Sequence, residues 1–413
     1  MKTLPARLRA LTCAAALLAA GVVPAQGAVL SVTSPGDSGP GTLRQALADA
    51  DGDAQLDTVR FQLSDKATLT LTSGQIRVKY PVQIEGPGAE RLTLSAGNRS
   101  RILAFDATAA GSSLSGLTLR EGKTSGFDYG GAVMAEGAIT VTDCVLRNNS
   151  AFAGGALSGR DRVTALGCVF LANQASREGG ALLVQGGAGV DLRRCLFLGN
   201  SAATDGGAIS ARNVSLVQAL DSAFSGNRAT GMGGGAYLYN DNLVRVDNCT
   251  FYDNGGTSAT GGAFFADASP SVVVNSLFWQ NQRDALGWNG TIPSVTYSFL
   301  PGWHGIGAGN LTSSGLEPKL RNPKGPDGTA GTADDDLRLL SGSPCLNVGS
   351  NVSVTETLDL GGEARIQESV VDMGAYEGAH GGSGSSGGGG CSALGTPWGL
   401  VLLALPLLFL RRR

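Results

Sequence analysis

Histidine is almost absent from this 413-residue chain, which contains only His304 and His380. A Ser-His-Asp or Cys-His relay would therefore depend on His304 alone, because His380 adjoins a stretch of glycine and serine. Outside its Gly/Ser stretch the sequence also lacks the G-x-S-x-G motif, and the whole sequence lacks H-E-x-x-H and P-loop motifs and the C-x-x-C spacing typical of a metal site. These absences leave paired carboxylates as the catalytic chemistry to test.

Charged residues are scarce as well, at 16% of the chain, and the formal net charge is -3. The two ends contain six of the 31 basic residues and none of the 34 acidic residues, which leaves 25 basic residues between them. The part between the ends is therefore acidic by about nine charges, which argues against nucleic acid or an anionic membrane surface as a partner.

The first 27 residues have the three parts of a secretory signal peptide. Basic residues precede an apolar run at 13–23, and small residues follow as far as Gly27. This pattern predicts recognition by the export machinery and cleavage by a signal peptidase between Gly27 and Ala28.

The C-terminal end predicts contact with a membrane. Residues 380–390 form a Gly/Ser linker, and residues 391–413 begin with Cys391, continue as an apolar run and end in three arginines. The apolar run of 17 residues lies at the lower limit of the roughly 17–25 residues that span a bilayer. A plain membrane anchor with its arginines in the cytoplasm is one interpretation.

Two motifs recur with a common period. In the first motif, Cys or Ser is followed by Phe or Leu two positions later and by Asn five positions later. Successive copies of this motif are separated by 24, 27, 27, 27 and 27 residues. A Gly-Gly-Ala triplet lies between these motifs, with its alanine at Ala132, Ala156, Ala181, Ala208, Ala236 and Ala263. Repeats of this length that cannot bury their own apolar face must stack on the next turn of chain.

The segments between the motifs alternate apolar and polar residues, which indicates short half-buried strands. We therefore predict an all-β parallel β-helix, right-handed by the general rule for crossovers, over residues 56–310. In this arrangement the Phe positions form one internal column and the Asn positions form a hydrogen-bonded ladder at a turn. We expect the glycine pairs to supply positive φ angles at the sharp turns.

Several cysteines share one position of the repeat. Cys144, Cys168, Cys195 and Cys249 occupy it, and serine replaces cysteine in two further repeats. Disulfides along the axis are one alternative, because stacked coils bring the residues within bridging range. Buried, unpaired thiols are the alternative we favour, because serine fits the same position. The sequence does not decide the state of these residues or of Cys345.

The Gly-Gly-Ala and Phe-x-x-Asn motifs are similar to the repeats of polymorphic outer membrane proteins. Residues 37–47, 325–344 and 359–377 resemble the choice-of-anchor Q proteins, although Cys345 and Ile366 depart from that pattern. The resemblance implies a bacterial surface protein with a right-handed β-helix. It also implies a short N-terminal cap at 28–55, with a helix, and a closing segment at 311–379.

The tail is similar to a MYXO-CTERM sorting signal, because Cys391 separates the Gly/Ser linker from the apolar run and the arginines. This resemblance implies cleavage near Cys391 by an intramembrane sortase and attachment of a lipid to that cysteine. The lipid would then tether the protein to the outer membrane or cell surface.

One carboxylate pair satisfies the repeat register. Glu178 and Asp205 each precede a Gly-Gly pair in adjacent coils, and glycoside cleavage needs two carboxyl groups held close together. The alternative interpretation is two solvated acids at turns. A polysaccharide lyase or hydrolase that uses this pair is therefore the rival functional hypothesis.

Two further groups are candidate binding sites. Tyr252 and Trp279 occupy the same outward position in successive coils, which suggests a surface for sugar rings unless other residues cover them. A loop rich in carboxylates offers oxygen ligands for Ca²⁺, or it is a solvated turn. Its acidic residues are Asp327, Asp334, Asp335 and Asp336.

Together these observations predict an exported, surface-anchored β-helix protein without catalytic activity, which serves in adhesion, glycan contact or envelope structure. The expected partners are the export and sorting machinery and a surface polysaccharide. No cofactor is expected other than Ca²⁺.

Overall fold

The computed structural model describes residues 27–256 and 260–378 of the chain. Four parallel sheets wind into a right-handed β-helix, in which each strand pairs with the equivalent strand of the next coil. The predicted fold class is confirmed. The pairing keeps the register of the sequence repeat, as in Leu146 opposite Phe170 and Phe170 opposite Phe197.

The sheets are numbered in the order in which a coil passes through them, except that the short fourth sheet lies between sheets 2 and 3. Sheet 1 has the eleven strands Val29–Val32, Asp57–Phe61, Val82–Glu85, Ser112–Ser115, Ile139–Thr142, Val163–Leu166, Val190–Arg193, Val217–Leu220, Val244–Asp247, Ser271–Val274 and Ser294–Thr296. Sheet 2 has the nine strands Ala67–Thr70, Leu92–Ser95, Thr118–Arg120, Val145–Arg147, Val169–Leu171, Leu196–Leu198, Ala223–Ser225, Thr250–Tyr252 and Leu277–Trp279.

Sheet 3 has the nine strands Ile76–Val78, Leu103–Phe105, Val133–Ala135, Leu157–Gly159, Leu182–Gln185, Ile209–Arg212, Ala236–Tyr239, Thr260–Asp267 and Asp284–Asn289. Sheet 4 has the four short strands Ser150–Ala151, Gln174–Ala175, Ser201–Ala202 and Arg228–Ala229. An antiparallel hairpin joins Leu320–Asn322 to Asp336–Leu339, and short 3-10 helices lie at Ala107–Ala109 and Asn351–Ser353.

Five phenylalanines form a single internal stack. Their ring centroids are 4.6 to 4.8 Å apart and their planes differ by no more than 3°. The stack consists of Phe170, Phe197, Phe224, Phe251 and Phe278. The predicted column is thus confirmed, and it runs along the axis of the hydrophobic core.

The asparagines form the predicted ladder at the turn after sheet 2. The side-chain oxygen of Asn200, for example, accepts hydrogen bonds from both the backbone N–H and the side-chain amide of Asn173, each at 3.0 Å. The Asn200 amide in turn donates to the Phe170 carbonyl at 2.9 Å. Because the ladder amides from Asn149 to Asn254 are buried and satisfied, the ladder fixes the register of the coils.

The two glycines of each Gly-Gly pair serve different purposes. Gly179, the first of one pair, has the expected positive φ of 65°. Gly180, the second, has an ordinary φ, but a Cβ atom there would lie 2.0 Å from the Gly207 carbonyl oxygen. The second glycine therefore permits close approach of neighbouring coils, a role that the sequence did not indicate.

The N-terminal helix α1, Leu43–Ala50, closes one end of the β-helix. The Thr42 side chain caps it by accepting a hydrogen bond from the Gln45 N–H at 3.3 Å. Leu43 and Leu47 are buried against the core. Helix α1 therefore covers core residues that the first coil would otherwise expose.

The cysteines of the repeat and Cys345 form no disulfides and are buried. The serines that replace cysteine in the repeat are buried too. The Cys168 thiol lies 3.3 Å from the Val141 carbonyl oxygen, and the Cys195 thiol lies 3.3 Å from that of Ala165. Burial raises the pKa of the Cys144 thiol to about 12. The structure thus has stacked thiols and not axial disulfides.

Candidate functional site

A cleft of about 530 Å³ lies at the C-terminal end of the β-helix. Three of the four tryptophans of the chain line it, namely Trp279, Trp288 and Trp303. They come from the last strand of sheet 2, the last strand of sheet 3 and the loop that follows sheet 1. Polar side chains also line the cleft, including those of Gln280, Arg283, Asp284 and His304.

The end of the β-helix explains why Trp288 is accessible. Trp288 pairs in register with Ala266, which is a core position, but among the described residues sheet 3 has no further strand beyond Asp284–Asn289. The Trp288 side chain therefore remains 38% exposed at a position that another coil would cover. Trp303 packs edge-on against it, with ring centroids 5.6 Å apart.

Trp303 provides a hydrogen-bond donor without a protein partner. The residue is 8% exposed, and within residues 27–256 and 260–378 its indole nitrogen has no acceptor. A buried polar group usually has a partner, because an unsatisfied donor costs about 1–3 kcal/mol.

The predicted aromatic pair is divided between the cleft and the protein interior. Trp279 lines the cleft, but Tyr252 is only 1% exposed. Leu337 and Ala375 of the closing segment pack over Tyr252, and its hydroxyl donates to the Gln280 side chain at 2.9 Å. The two residues therefore do not form the exposed surface expected from the sequence. For Tyr252 the alternative interpretation holds, in which other residues cover the side chain.

The predicted carboxylate pair lies in adjacent coils, but the two side chains have separate partners. Glu178 is 2% exposed, and its carboxylate accepts hydrogen bonds from Ser210 at 3.1 Å and from Arg212. The Asp205 carboxylate accepts the Met232 backbone N–H at 2.8 Å in the next coil. Each carboxylate stabilises local structure, and the catalytic role of the pair stays a prediction.

The carboxylates of the acidic loop have protein partners, and Asp334 and Asp335 share the Thr332 hydroxyl. Asp335 accepts hydrogen bonds from Ser225 at 2.9 Å and from the Gly331 N–H at 2.7 Å, and burial raises its pKa to about 6. Asp327 accepts the Thr329 N–H at 2.7 Å, and Asp336 contacts Arg338 at 3.3 Å. Among the described residues, no group of three His, Cys, Asp or Glu side chains is arranged to hold a metal ion. Asp334, the fourth candidate, instead contacts Thr332.

Two of the three predicted processing residues, Gly27 and Ala28, lie in the described part of the chain. The Ala28 N–H donates to the Asp57 carboxylate at 2.6 Å. The third, Cys391, lies outside the described residues, as do the Gly/Ser linker and the predicted signal peptide before Gly27. Within the described ranges, no helix is sufficiently long and apolar to cross a membrane.

The sequence contains one signal for this cleft that lies outside the repeat pattern, namely a local concentration of tryptophan. Its three tryptophans fall within residues 279–303, whereas the chain has only four in total. Their convergence depends on where the coils end, which the repeat pattern does not specify. Arg283 and Asp284 also line the cleft, but neither belongs to a recurring motif of the sequence.

The comparison with family models agrees with the fold. A family model for the right-handed beta helix region matches residues 180–298. The crystal structure of pectate lyase Pel9A is similar to this chain at 13% sequence identity and a TM-score of 0.46. That similarity covers 86% of this chain and 97% of the pectate lyase chain. No protein among the curated sequences matches.

Proposed function

We propose that this protein is a non-catalytic glycan-binding β-helix protein of the bacterial surface, and that the tryptophan cleft is its binding site. The observation that carries the proposal is the concentration of three of the four tryptophans in one cleft of about 530 Å³. Indole rings offer flat apolar faces to the C–H groups of a sugar ring. Such a cleft suits a ligand with both apolar faces and hydroxyl groups.

The polar groups of the cleft complement the hydroxyl groups of a sugar. The Asp284 carboxylate accepts a hydrogen bond, and the Arg283 guanidinium donates several. Because glycan binding involves no proton transfer, none of these residues has to act as a general acid or base. The stiff β-helix holds these groups in place, because they lie at the ends of strands or next to them.

Replacement of Trp288 by alanine should weaken glycan binding about ten- to thirtyfold, because an exposed aromatic ring of the cleft is lost. Binding is measured by the change in intrinsic tryptophan fluorescence on titration with glycans selected on an array. Tyr239→Ala is the matched control, since Tyr239 is also 38% exposed but lies outside the cleft. Equal affinities for the two variants would contradict the proposed site.

We also propose that the chain is exported and anchored by its processed C-terminus. The support is in the sequence: the signal-like residues 1–27, the similarity to choice-of-anchor Q proteins and polymorphic outer membrane protein repeats, and the MYXO-CTERM-like order of linker, Cys391, apolar run and arginines. An anchored β-helix would display the tryptophan cleft at the cell surface.

Mass spectrometry of the protein recovered from its native envelope tests this anchoring. The mature chain is expected to begin at Ala28 and to end near Cys391 with an added lipid mass. Cys391→Ser should abolish the lipid and release the protein into the medium, whereas Cys345→Ser should leave the anchor intact. A recovered chain that still ends in Arg413 would rule out sorting.

A further inference from the structure

We propose that a second groove, along sheet 4, binds an extended acidic polysaccharide whose chain runs parallel to the β-helix axis. The groove has a volume of about 690 Å³ and lies away from the tryptophan cleft. Residues of five successive coils line it, between Lys123 in the first and Arg228 in the last. This site is independent of the proposed function of the tryptophan cleft.

The parallel register gives the groove a regular lining. One row of side chains runs along its wall, one per coil, in the order Lys123, Ser150, Gln174, Ser201 and Arg228. The floor is flat, because the next position of each short strand is alanine. Coils are spaced by about 4.8 Å, so four intervals give a wall of about 19 Å. A polymer along this wall meets the same geometry at every coil.

The charge of the groove is opposite to that of the chain as a whole. The chain has a formal net charge of -3, yet the groove residues include the cations Lys123 and Arg228 and no Asp or Glu. Arg228 is partly neutralised by Asp253 at 3.2 Å, whereas Lys123 is exposed. Arg177, which is 51% exposed in its side chain, follows Ser176 of the groove directly. An acidic ligand would therefore be favoured over a neutral one.

The polar side chains of the wall are available to a ligand. Within the part of the chain that the structure describes, the side chains of Ser150, Gln174 and Ser201 make no hydrogen bond to protein groups. They provide hydroxyl and amide groups between the two cationic ends. A sugar polymer presents hydroxyl and carboxylate groups at each unit, which such a row can bind repeatedly.

An exposed aromatic cluster adjoins the groove near Lys123. Phe127 is 79% exposed and packs edge-on against Phe152, which lines the groove, with ring centroids 5.0 Å apart. The Arg177 guanidinium lies over the Phe152 ring at 5.8 Å. Exposed aromatic rings beside cations mark interaction surfaces, and here they extend the groove with apolar faces for sugar rings.

The backbone of the groove favours a polysaccharide over a peptide. Strands of sheet 4 cross the groove, and their N–H groups bond to neighbouring coils, as Gln174 does to the Asn149 carbonyl at 2.9 Å and Ser201 to the Asn173 carbonyl at 2.9 Å. A peptide laid along the groove therefore finds no free strand edge to extend. Recognition depends on side chains, which matches a ligand rich in hydroxyl and carboxylate groups.

Titration of the purified protein with alginate oligomers by calorimetry tests the proposal, with dextran as a neutral chain and poly-glutamate as an acidic peptide. Alginate should bind at low ionic strength and weaken as salt is added. Gln174→Glu should weaken binding roughly five- to tenfold by placing a carboxylate in the middle of the wall, and Gln174→Lys should strengthen it by a similar factor.

Gln367→Glu is the matched control, because Gln367 is exposed on the closing segment and gives the same change of charge. It should leave alginate binding unchanged, as should Trp288→Ala, which tests only the tryptophan cleft. The proposal is overturned if alginate binds no better than dextran or if both glutamate variants weaken binding equally. Equal binding of poly-glutamate would assign the groove to acidic peptides instead.

Discussion

Replacement of Phe224 by alanine is expected to lower the free energy of unfolding by about 3–5 kcal/mol. Phe224 is 1% exposed and lies between Phe197 and Phe251, with centroids 4.8 and 4.6 Å away. The substitution removes both ring contacts and leaves a cavity, because the neighbouring coils are held in register by the asparagine ladder and cannot close around it. Urea denaturation followed by circular dichroism measures the loss.

The same substitution should also reduce the cooperativity of unfolding. In a solenoid each coil contacts only its neighbours, so a weak interface in the middle separates two units that unfold independently. Tryptophan fluorescence reports mainly the C-terminal coils, since Trp279, Trp288 and Trp303 are all there. We expect this signal and the circular dichroism signal to give different midpoints.

Phe127→Ala serves as the control for Phe224→Ala, because Phe127 is 79% exposed. Its effect should remain within about 0.5 kcal/mol, and its two signals should coincide. A Phe224→Ala protein that unfolds in a single transition at the midpoint of the native protein would show that the phenylalanine stack does not hold the coils together.

Replacement of Arg365 by methionine should destabilise the protein by about 3–5 kcal/mol near pH 8.5. Arg365 is 1% exposed, and it joins the closing segment to the β-helix through Asp221 at 3.4 Å and to Glu377 at 3.5 Å. Its guanidinium also donates to the Asp372 carbonyl at 3.0 Å and the Gly374 carbonyl at 2.9 Å. Without it, two buried carboxylates have no cation beside them.

The effect should become smaller at lower pH. Burial raises the pKa of Asp221 to about 7 and that of Glu377 to about 8, above their values in the unfolded chain. Their protons stay bound in the folded state and are lost in the unfolded state, so this contribution to stability is greatest below about pH 4 and disappears as the pH rises to about 8. At about pH 5.5 both carboxyls of the variant are neutral, and the missing cation matters less.

Melting temperatures of native protein and Arg365→Met between about pH 5.5 and 8.5 test this expectation. Arg321→Met is the control, because Arg321 contacts Asp336 at 3.7 Å but its side chain is 43% exposed. A surface pair of this kind contributes about 0–1 kcal/mol. A difference between native and Arg365→Met proteins that does not change with pH would contradict the assignment of the buried carboxyls.

The repeat made the fold predictable, because each motif position becomes one column in the structure. The Phe stack, the asparagine ladder and the column of cysteines all follow from side chains that recur in a fixed register, whereas the unpaired state of the thiols came from the structure. The burial of Tyr252 could not be predicted from the repeat. Its outward position followed from the repeat, but the residues that bury it lie more than 80 positions later in the chain, in a segment without the repeat.

The tryptophan cleft was only partly predictable for a related reason. Trp279 falls on a repeat position, but the exposure of Trp288 depends on the absence of another strand after Asp284–Asn289. The sequence placed Glu178 and Asp205 in adjacent coils, and the structure does so too. It did not indicate that Arg212 would pair with the buried Glu178, because Glu178 lies in a turn and Arg212 ends a sheet 3 strand of the next coil.

The column of buried thiols gives the protein a built-in chemical record of how it opens. Cys144, Cys168, Cys195 and Cys249 lie one below another, each inaccessible while its coil is wound, and burial raises the pKa of several of them well above the usual value. An alkylating reagent can therefore mark a given thiol only after the surrounding coil has unwound. The order in which these four thiols become labelled would show the order in which the coils unfold, without any engineered probe.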